Sequence, residues 1–379
     1  MPLDTVDGFV RDRFAPARDV FEANLASGVD VGASFCATLE GETVVDLWGG
    51  FADAAKTRPW EQDTIVNVYS TTKTMTFLTA LMLADRGELD FDVPVAKYWP
   101  QFAANGKEAI KVSNLMAHSA GLSGWTTPLT TADLYDWEKV TSLLAAQAPL
   151  WPPGTKSGYH ALTQGYLIGE VVRRITGRTI GTFFRQEIAE PLGADFWIGL
   201  PASEDARVAD LIPPPPGGEA GDFAQTEIQK ITFNNPGVDI SATRTRAWRG
   251  AEIPAAGGTG NARSVAEIHA ILANGGVAKG KRFLSEAGCR KALEVQIEGD
   301  DLIFLAPAKY GVGFGLPGPM VPLPHPNSLF WGGYGGSLII IDMDARTTFA
   351  YVMNKMGAGT VGDTRSFGII GAMWQALAA

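Results

Sequence analysis

A serine and a lysine stand three positions apart in VYSTTKTMTFLTALMLADRGELD, residues 68–90, at the head of an apolar run. Three residues of α-helix turn through about 300° and rise about 4.5 Å, which brings the Lys73 amine beside the Ser70 hydroxyl. A first-turn lysine opposes the helix dipole, and a buried one is costlier still. Its placement therefore points to chemistry: a nucleophile next to a base. Ser70 would also sit where helix N–H groups lack partners and an oxyanion is stabilised. The plain alternative is a solvated first-turn lysine.

Two further stretches can join this pair. In GTKSGYHALTQGYLIGEVV, Tyr159 precedes a helical run from Leu162 to Val172, where a polar side chain projects into a cleft unless it is simply a packing tyrosine. In LFWGGYGGSLIII, the paired glycines Gly332 and Gly333 weaken a strand and let another backbone approach, which suits a substrate lying along a sheet edge; a plain bulge is the alternative. No serine has the GxSxG setting: AHSAG around Ser119 and GLSGW around Ser123 each lack one glycine, so the nucleophile elbow of an α/β-hydrolase is absent. His118, His160, His269 and His325 lack any metal-ligand spacing, and GVGFG at 311–315 runs into prolines where a dinucleotide site needs a helix. The expectation is neither metal nor cofactor.

The whole-chain balance narrows the partners. A net charge of −10 and a pI near 5.0 argue against nucleic acid and anionic membrane surfaces, which need a basic footprint. No stretch reaches about 18 consecutive apolar residues, so a membrane span is not expected. The opening residues MPLDTVDGFVRDRFAPARDVFEANL do not read as a secretory signal, and Cys36 and Cys289 read as small buried hydrophobes in a reducing compartment; both suggest a cytoplasmic protein.

The elements that must position these residues follow from periodicity. Val6, Phe9, Val10, Phe14, Ala17, Phe21 and Leu25 recur at helical spacing, predicting an N-terminal helix bent near Pro16. Two β-prone runs joined by Glu40-Gly41 predict a hairpin. Helical patterns occupy 70–86, 111–118, 132–147, 162–176, 179–190, 264–274 and 285–294, with a proline-rich stretch at 212–223 that reads as a functional wall or a solvated excursion. Strands return in YGVGFGLP and SLFWGGYGGSLIIIDMDARTTFAYVMNK, before a closing helix at 361–377. This pattern is an α+β fold: an antiparallel sheet formed by both termini and flanked by helices (1–68 and 295–379), with an inserted helical domain (69–294) carrying long loops. The cleft would lie at their seam.

The order Ser70-x-x-Lys73, Tyr159, then Trp331-Gly332-Gly333 on a late strand resembles the serine β-lactamase/penicillin-binding superfamily, and within it the family VIII carboxylesterases. LMAHSAGL (115–122) and PAAGGTGNARSVAEIHAIL (254–272) extend the likeness over nearly the whole chain. The resemblance implies Ser70 as acylating nucleophile, Lys73 and Tyr159 as the pair that takes and returns its proton, and an oxyanion hole from the N–H groups of Ser70 and Tyr334. Which of Lys73 and Tyr159 is the base stays open at this point.

Two departures bear on substrate. Penicillin-directed members carry Lys-Thr-Gly where this chain has Trp331-Gly332-Gly333, so the cation that holds a β-lactam carboxylate is missing. Their Tyr-x-Asn appears as Tyr159-His160-Ala161, without the side-chain amide. The expected activity is hydrolysis of short-chain or compact carboxylic esters, with an acyl pocket lined by Tyr69, Trp125, Trp331 and residues of 205–255, and His160 as a further cleft residue. The rivals are a β-lactamase or D-amino-acid peptidase, an acyltransferase, and a non-catalytic binding protein on the same fold.

Overall fold

The computed structural model describes residues 6–217, 224–319 and 321–379; the end of the proline-rich stretch, 218–223, lies outside the described residues. Six strands form the main sheet: β1 (Val6–Val10), β2 (Gly32–Leu39), β3 (Glu42–Gly50), β4 (Ser328–Gly332), β5 (Leu338–Asp342) and β6 (Thr347–Met353). They lie in the order β1–β3–β2–β6–β5–β4, each pair antiparallel, so chain from both ends meets where β2 pairs with β6. The β2–β3 hairpin turns on Glu40 and Gly41, with φ of 50° and 84°, the left-handed pair that a two-residue turn needs to match strand twist.

The N-terminal expectation needs correcting. Val6–Val10 is an edge strand on β3, and the helix α1 (Ala15–Ala26) begins only after it. Gly8 has φ of 101°, and a Cβ there would lie 1.9 Å from the Asp46 carbonyl oxygen, so this backbone hugs its neighbour as no helix could. Pro16 sits in the first turn of α1, where its missing N–H costs nothing, and starts the helix instead of bending it.

Helices cover both faces of the sheet. Thr348 of β6 donates its hydroxyl to the Ala266 carbonyl, while its neighbour Phe349 packs edge-on against Trp374 at 5.5 Å. Successive strand residues point to opposite faces. Helix α4 (Ala262–Ala273) therefore covers one face, and α5 (Thr364–Ala378) with α1 covers the other. Helix α4 falls inside the stretch 69–294 expected to form a separate helical domain, yet it packs on the sheet.

The helical part is centred on α2 (Lys73–Asp85), buried at every position from Lys73 to Leu83, with α3 (Thr163–Thr176) against it. A helix apolar all round has no solvent face to offer and becomes the middle of its layer. A ribbon of two-residue strands joins Val66–Asn67, just before Ser70 in the chain, to Thr259–Gly260 and Phe196–Trp197.

Candidate active site

The turn Tyr69–Thr72 leads into α2 and places Ser70 at its mouth. Tyr69 adopts φ of 42°, a left-handed conformation uncommon for a bulky residue and one that needs surrounding structure to hold it. That structure is present on two sides. The Val68 N–H donates to Gly258 O and the Gly258 N–H to Thr72 Oγ1, while Asn67 Nδ2 donates to Ala256 O. On the sheet side, Ser337 Oγ donates to Val68 O, lies 2.9 Å from Thr71 Oγ1, and belongs to the turn after β4. A Cβ on Gly333 would lie 2.2 Å from Val68 O. Gly333 thus admits this chain's own serine turn, while Gly332 admits the backbone of Thr360 and Val361.

Lys73, fully buried, reaches four oxygens: Ser70 Oγ at 3.0 Å, Tyr159 OH at 3.0 Å, Ala161 O at 2.7 Å and Ala255 O at 3.0 Å. Tyr159 OH lies 2.5 Å from Ser70 Oγ. Burial pushes the Lys73 pKa well below the ordinary lysine value. A neutral amine has two N–H groups and one lone pair. In that state the carbonyls of Ala161 and Ala255 can take both hydrogens, leaving the lone pair for Ser70 Oγ. Burial raises the Tyr159 phenol above its usual value, the Ser70 hydrogen bond draws it down, and the charge of Asp301 adds to the rise. A depressed amine is free to take a proton at a lower pH than an ordinary lysine, while a raised phenol holds its own more firmly.

Ser70 opens onto a cavity of about 500 Å³ walled by Tyr69, Leu162, Phe233, Val238, Trp248 and Tyr334. The stretch 205–255 supplies a large part of this wall. The Tyr69 ring meets Tyr334 at 5.5 Å and Trp248 at 6.4 Å, both edge-on. A second, apolar cavity of about 230 Å³ also touches Tyr159, and Trp331 and Gly332 line it together with Phe304.

Three sequence expectations for the pocket change. Trp331 is buried in a cluster, stacked on His118 at 5.4 Å and edge-on to Phe77 at 5.2 Å, and borders the smaller cavity instead of Ser70's. Trp125 is a core residue: its indole N–H donates to Val140 O and its ring packs on Tyr166, away from both cavities. His160 is fully buried and structural, its Nδ1–H donating to Gly158 O and its Nε2 accepting the Leu122 N–H, with a pKa pushed down to about 4 by burial. A large aromatic near a motif looks the same in sequence whether it faces a cleft or the core.

Other contributors carry no sequence signal. Any residue type supplies a carbonyl, so nothing in Ala161 or Ala255 announces a partner of Lys73. Asp301 and Phe304, which meet Tyr159, lie in a stretch without a motif. Among the described residues, no group of His, Cys, Asp and Glu is arranged to hold a metal ion, and no helix is long and apolar enough to cross a membrane.

The comparisons agree with this geometry. The beta-lactamase family model matches residues 17–369. Esterase/beta-lactamase LipL of Mycobacterium tuberculosis (strain ATCC 25618 / H37Rv) is 35% identical over 372 residues, covering 93% of this chain and 83% of its own. A family VIII carboxylesterase of known crystal structure is 40% identical with a TM-score of 0.93, over 98% of this chain and 100% of the other. A penicillin-binding protein homologue from Caulobacter crescentus is also 40% identical, with a TM-score of 0.89 and coverage of 98% and 100%. A serine, a lysine and a tyrosine in mutual contact at the mouth of a cavity, on a fold shared across almost the full chain, identify this protein as a serine hydrolase belonging to the beta-lactamase family.

Proposed function

We propose that the protein is a carboxylesterase acting on short-chain or compact carboxylic esters through an acyl-enzyme on Ser70. The observation that carries this reading is the mutual contact of Ser70 Oγ, Lys73 Nζ and Tyr159 OH beside the 500 Å³ cavity. Ser70 Oγ attacks the ester carbonyl as its proton passes to Lys73 Nζ. The resulting oxyanion is held by the N–H groups of Ser70 and Tyr334, as the family resemblance implies. Collapse breaks the bond to the alcohol oxygen, which takes the Tyr159 proton, and Tyr159 is reprotonated from Lys73. Water then repeats the sequence on the acyl group and frees Ser70.

An amide-directed reading has less support. The position where penicillin-directed members carry a lysine holds Trp331, packed among aromatic rings without a charge to offer a carboxylate. The double name of the LipL relative nevertheless makes β-lactam hydrolysis the second reading. Two free, buried cysteines, Cys36 and Cys289, fit a reducing cytoplasm as the proposed location. The test is intact-protein mass spectrometry after brief exposure to p-nitrophenyl butyrate. A butyryl adduct on Ser70 is expected, and a non-catalytic binding protein would gain none.

A further inference from the structure

Asp301 is 1% exposed, and no ion pair to a lysine or arginine is present for it among the described residues. Its Oδ1 accepts three backbone N–H groups, those of Tyr159 at 3.1 Å, Ile303 at 2.9 Å and Phe304 at 3.1 Å. Oδ2 lies 3.5 Å from the Tyr310 hydroxyl. The Phe304 ring in turn stacks on the Tyr159 ring, with centroids 4.7 Å apart and planes 27° apart. One carboxylate therefore grips Tyr159 twice, directly by its main chain and, through Phe304, by its ring.

The loop that carries this grip is itself fastened. The Leu302 N–H donates to Ser157 O, and Gln229 Nε2 donates to Ile303 O from the stretch that walls the Ser70 cavity. An asparagine could accept the same three N–H groups through its carbonyl oxygen without burying a charge.

We propose that Asp301 is a positioning residue for the reaction, holding Tyr159 in line with Ser70 and Lys73 and keeping the phenolic proton in place for the leaving alcohol. This rests on the esterase reading above. The double grip fixes the direction in which the hydroxyl points, and the leaving oxygen takes the proton only along that line. Asp301 touches no reacting atom and acts through Tyr159.

The experiment compares two butyrate esters on the full-length protein. Ethyl butyrate expels an alkoxide that must be protonated, whereas p-nitrophenyl butyrate expels a phenolate stable without a proton. Asp301→Asn, which keeps an acceptor oxygen for the three N–H groups, is expected to lose little, whereas Asp301→Ala, which removes it, is expected to lower kcat/KM for the ethyl ester at least about tenfold more than for the nitrophenyl ester. In a Tyr159→Phe background the same change is expected to alter either rate by less than about threefold, because its target is gone. Equal loss on both esters, equal loss in both backgrounds, or no loss at all overturns the proposal. If Asp301→Ala melts below the assay temperature, Asp301→Glu, which keeps the carboxylate and displaces the oxygen, is held to the same ratio. Failure of the esterase reading looks different: the parent protein would then hydrolyse neither ester, or Ser70→Ala would hydrolyse both as the parent does.

Discussion

Tyr159 OH and Ser70 Oγ, 89 positions apart in the chain, lie 2.5 Å from each other, with Lys73 Nζ 3.0 Å from both. Three groups that touch one another pass a proton as a unit, and a unit fails as a whole when any member is removed. The first predictions test this unity.

Ser70→Ala should leave the fold intact and reduce ester turnover by about 10⁴ or more. Circular dichroism checks the fold and steady-state kinetics with p-nitrophenyl butyrate checks the rate. Activity above a tenth of the parent's would move the nucleophile elsewhere.

Lys73→Ala and Tyr159→Phe should each cripple acylation, and the double variant should cost far less than the two losses combined. Single-turnover kinetics with ethyl butyrate, whose leaving alkoxide needs the proton, gives all three values. Additive losses would count against a shared relay.

The pH profile follows from the direction of the Lys73 shift. Burial lowers this pKa, so the amine is neutral above its depressed value and protonated below it. The acylation rate should therefore be sustained toward high pH and fall as pH drops through that value, measured as kcat/KM against pH. Lys73→Arg keeps a cation but supplies no base, because a guanidinium does not deprotonate in proteins. It should be as inactive as Lys73→Ala.

Short-chain esters should exceed benzylpenicillin in kcat/KM by about ten- to a hundredfold, since a lost charge-assisted hydrogen bond to the β-lactam carboxylate costs about 1.5–3 kcal/mol and the ester loses nothing. Trp331→Lys should not close this gap. The new ammonium would stand between His118 and Phe77 in place of an indole, and removing a buried tryptophan costs about 3–5 kcal/mol. A lowered Tm together with unchanged penicillin turnover is the expected result.

Gly333→Ala should disable the site from a distance. Its Cβ would lie 2.2 Å from Val68 O and 2.3 Å from Ser337 Oγ, so the turn carrying Ser70 and the turn carrying Tyr334 must separate. The expected outcome is a lower Tm and a loss of kcat greater than any change in KM.

Much of this arrangement is legible in the sequence because it rests on local periodicity. Lys73 follows Ser70 at the spacing of one helical turn, and the helices and the Glu40-Gly41 hairpin obey short-range rules that a sequence displays. Edge strand β1 was obscured because its apolar residues also fit helical spacing; only Gly8 hinted at the extended backbone. Trp125 and His160 were misplaced for a different reason. Which way a side chain faces is decided by tertiary packing, and their neighbours Val140, Tyr166 and Leu122 adjoin them only in three dimensions. The carbonyls at Ala161 and Ala255 are beyond any reading of side-chain type.

The central strand pair of the sheet has a consequence for how the protein is made. Gly32 donates its N–H to Asn354 Oδ1, a partner 322 positions away, and β2 has no neighbour on that side until β6 has been synthesised. A nascent chain leaving the ribosome therefore carries its N-terminal hairpin with one apolar edge open until nearly all of the remainder has emerged. Long-range pairing of this kind folds slowly, and an open edge in the meantime invites aggregation. Expression yield should thus respond to translation speed and chaperone supply more than to the stability of the finished molecule.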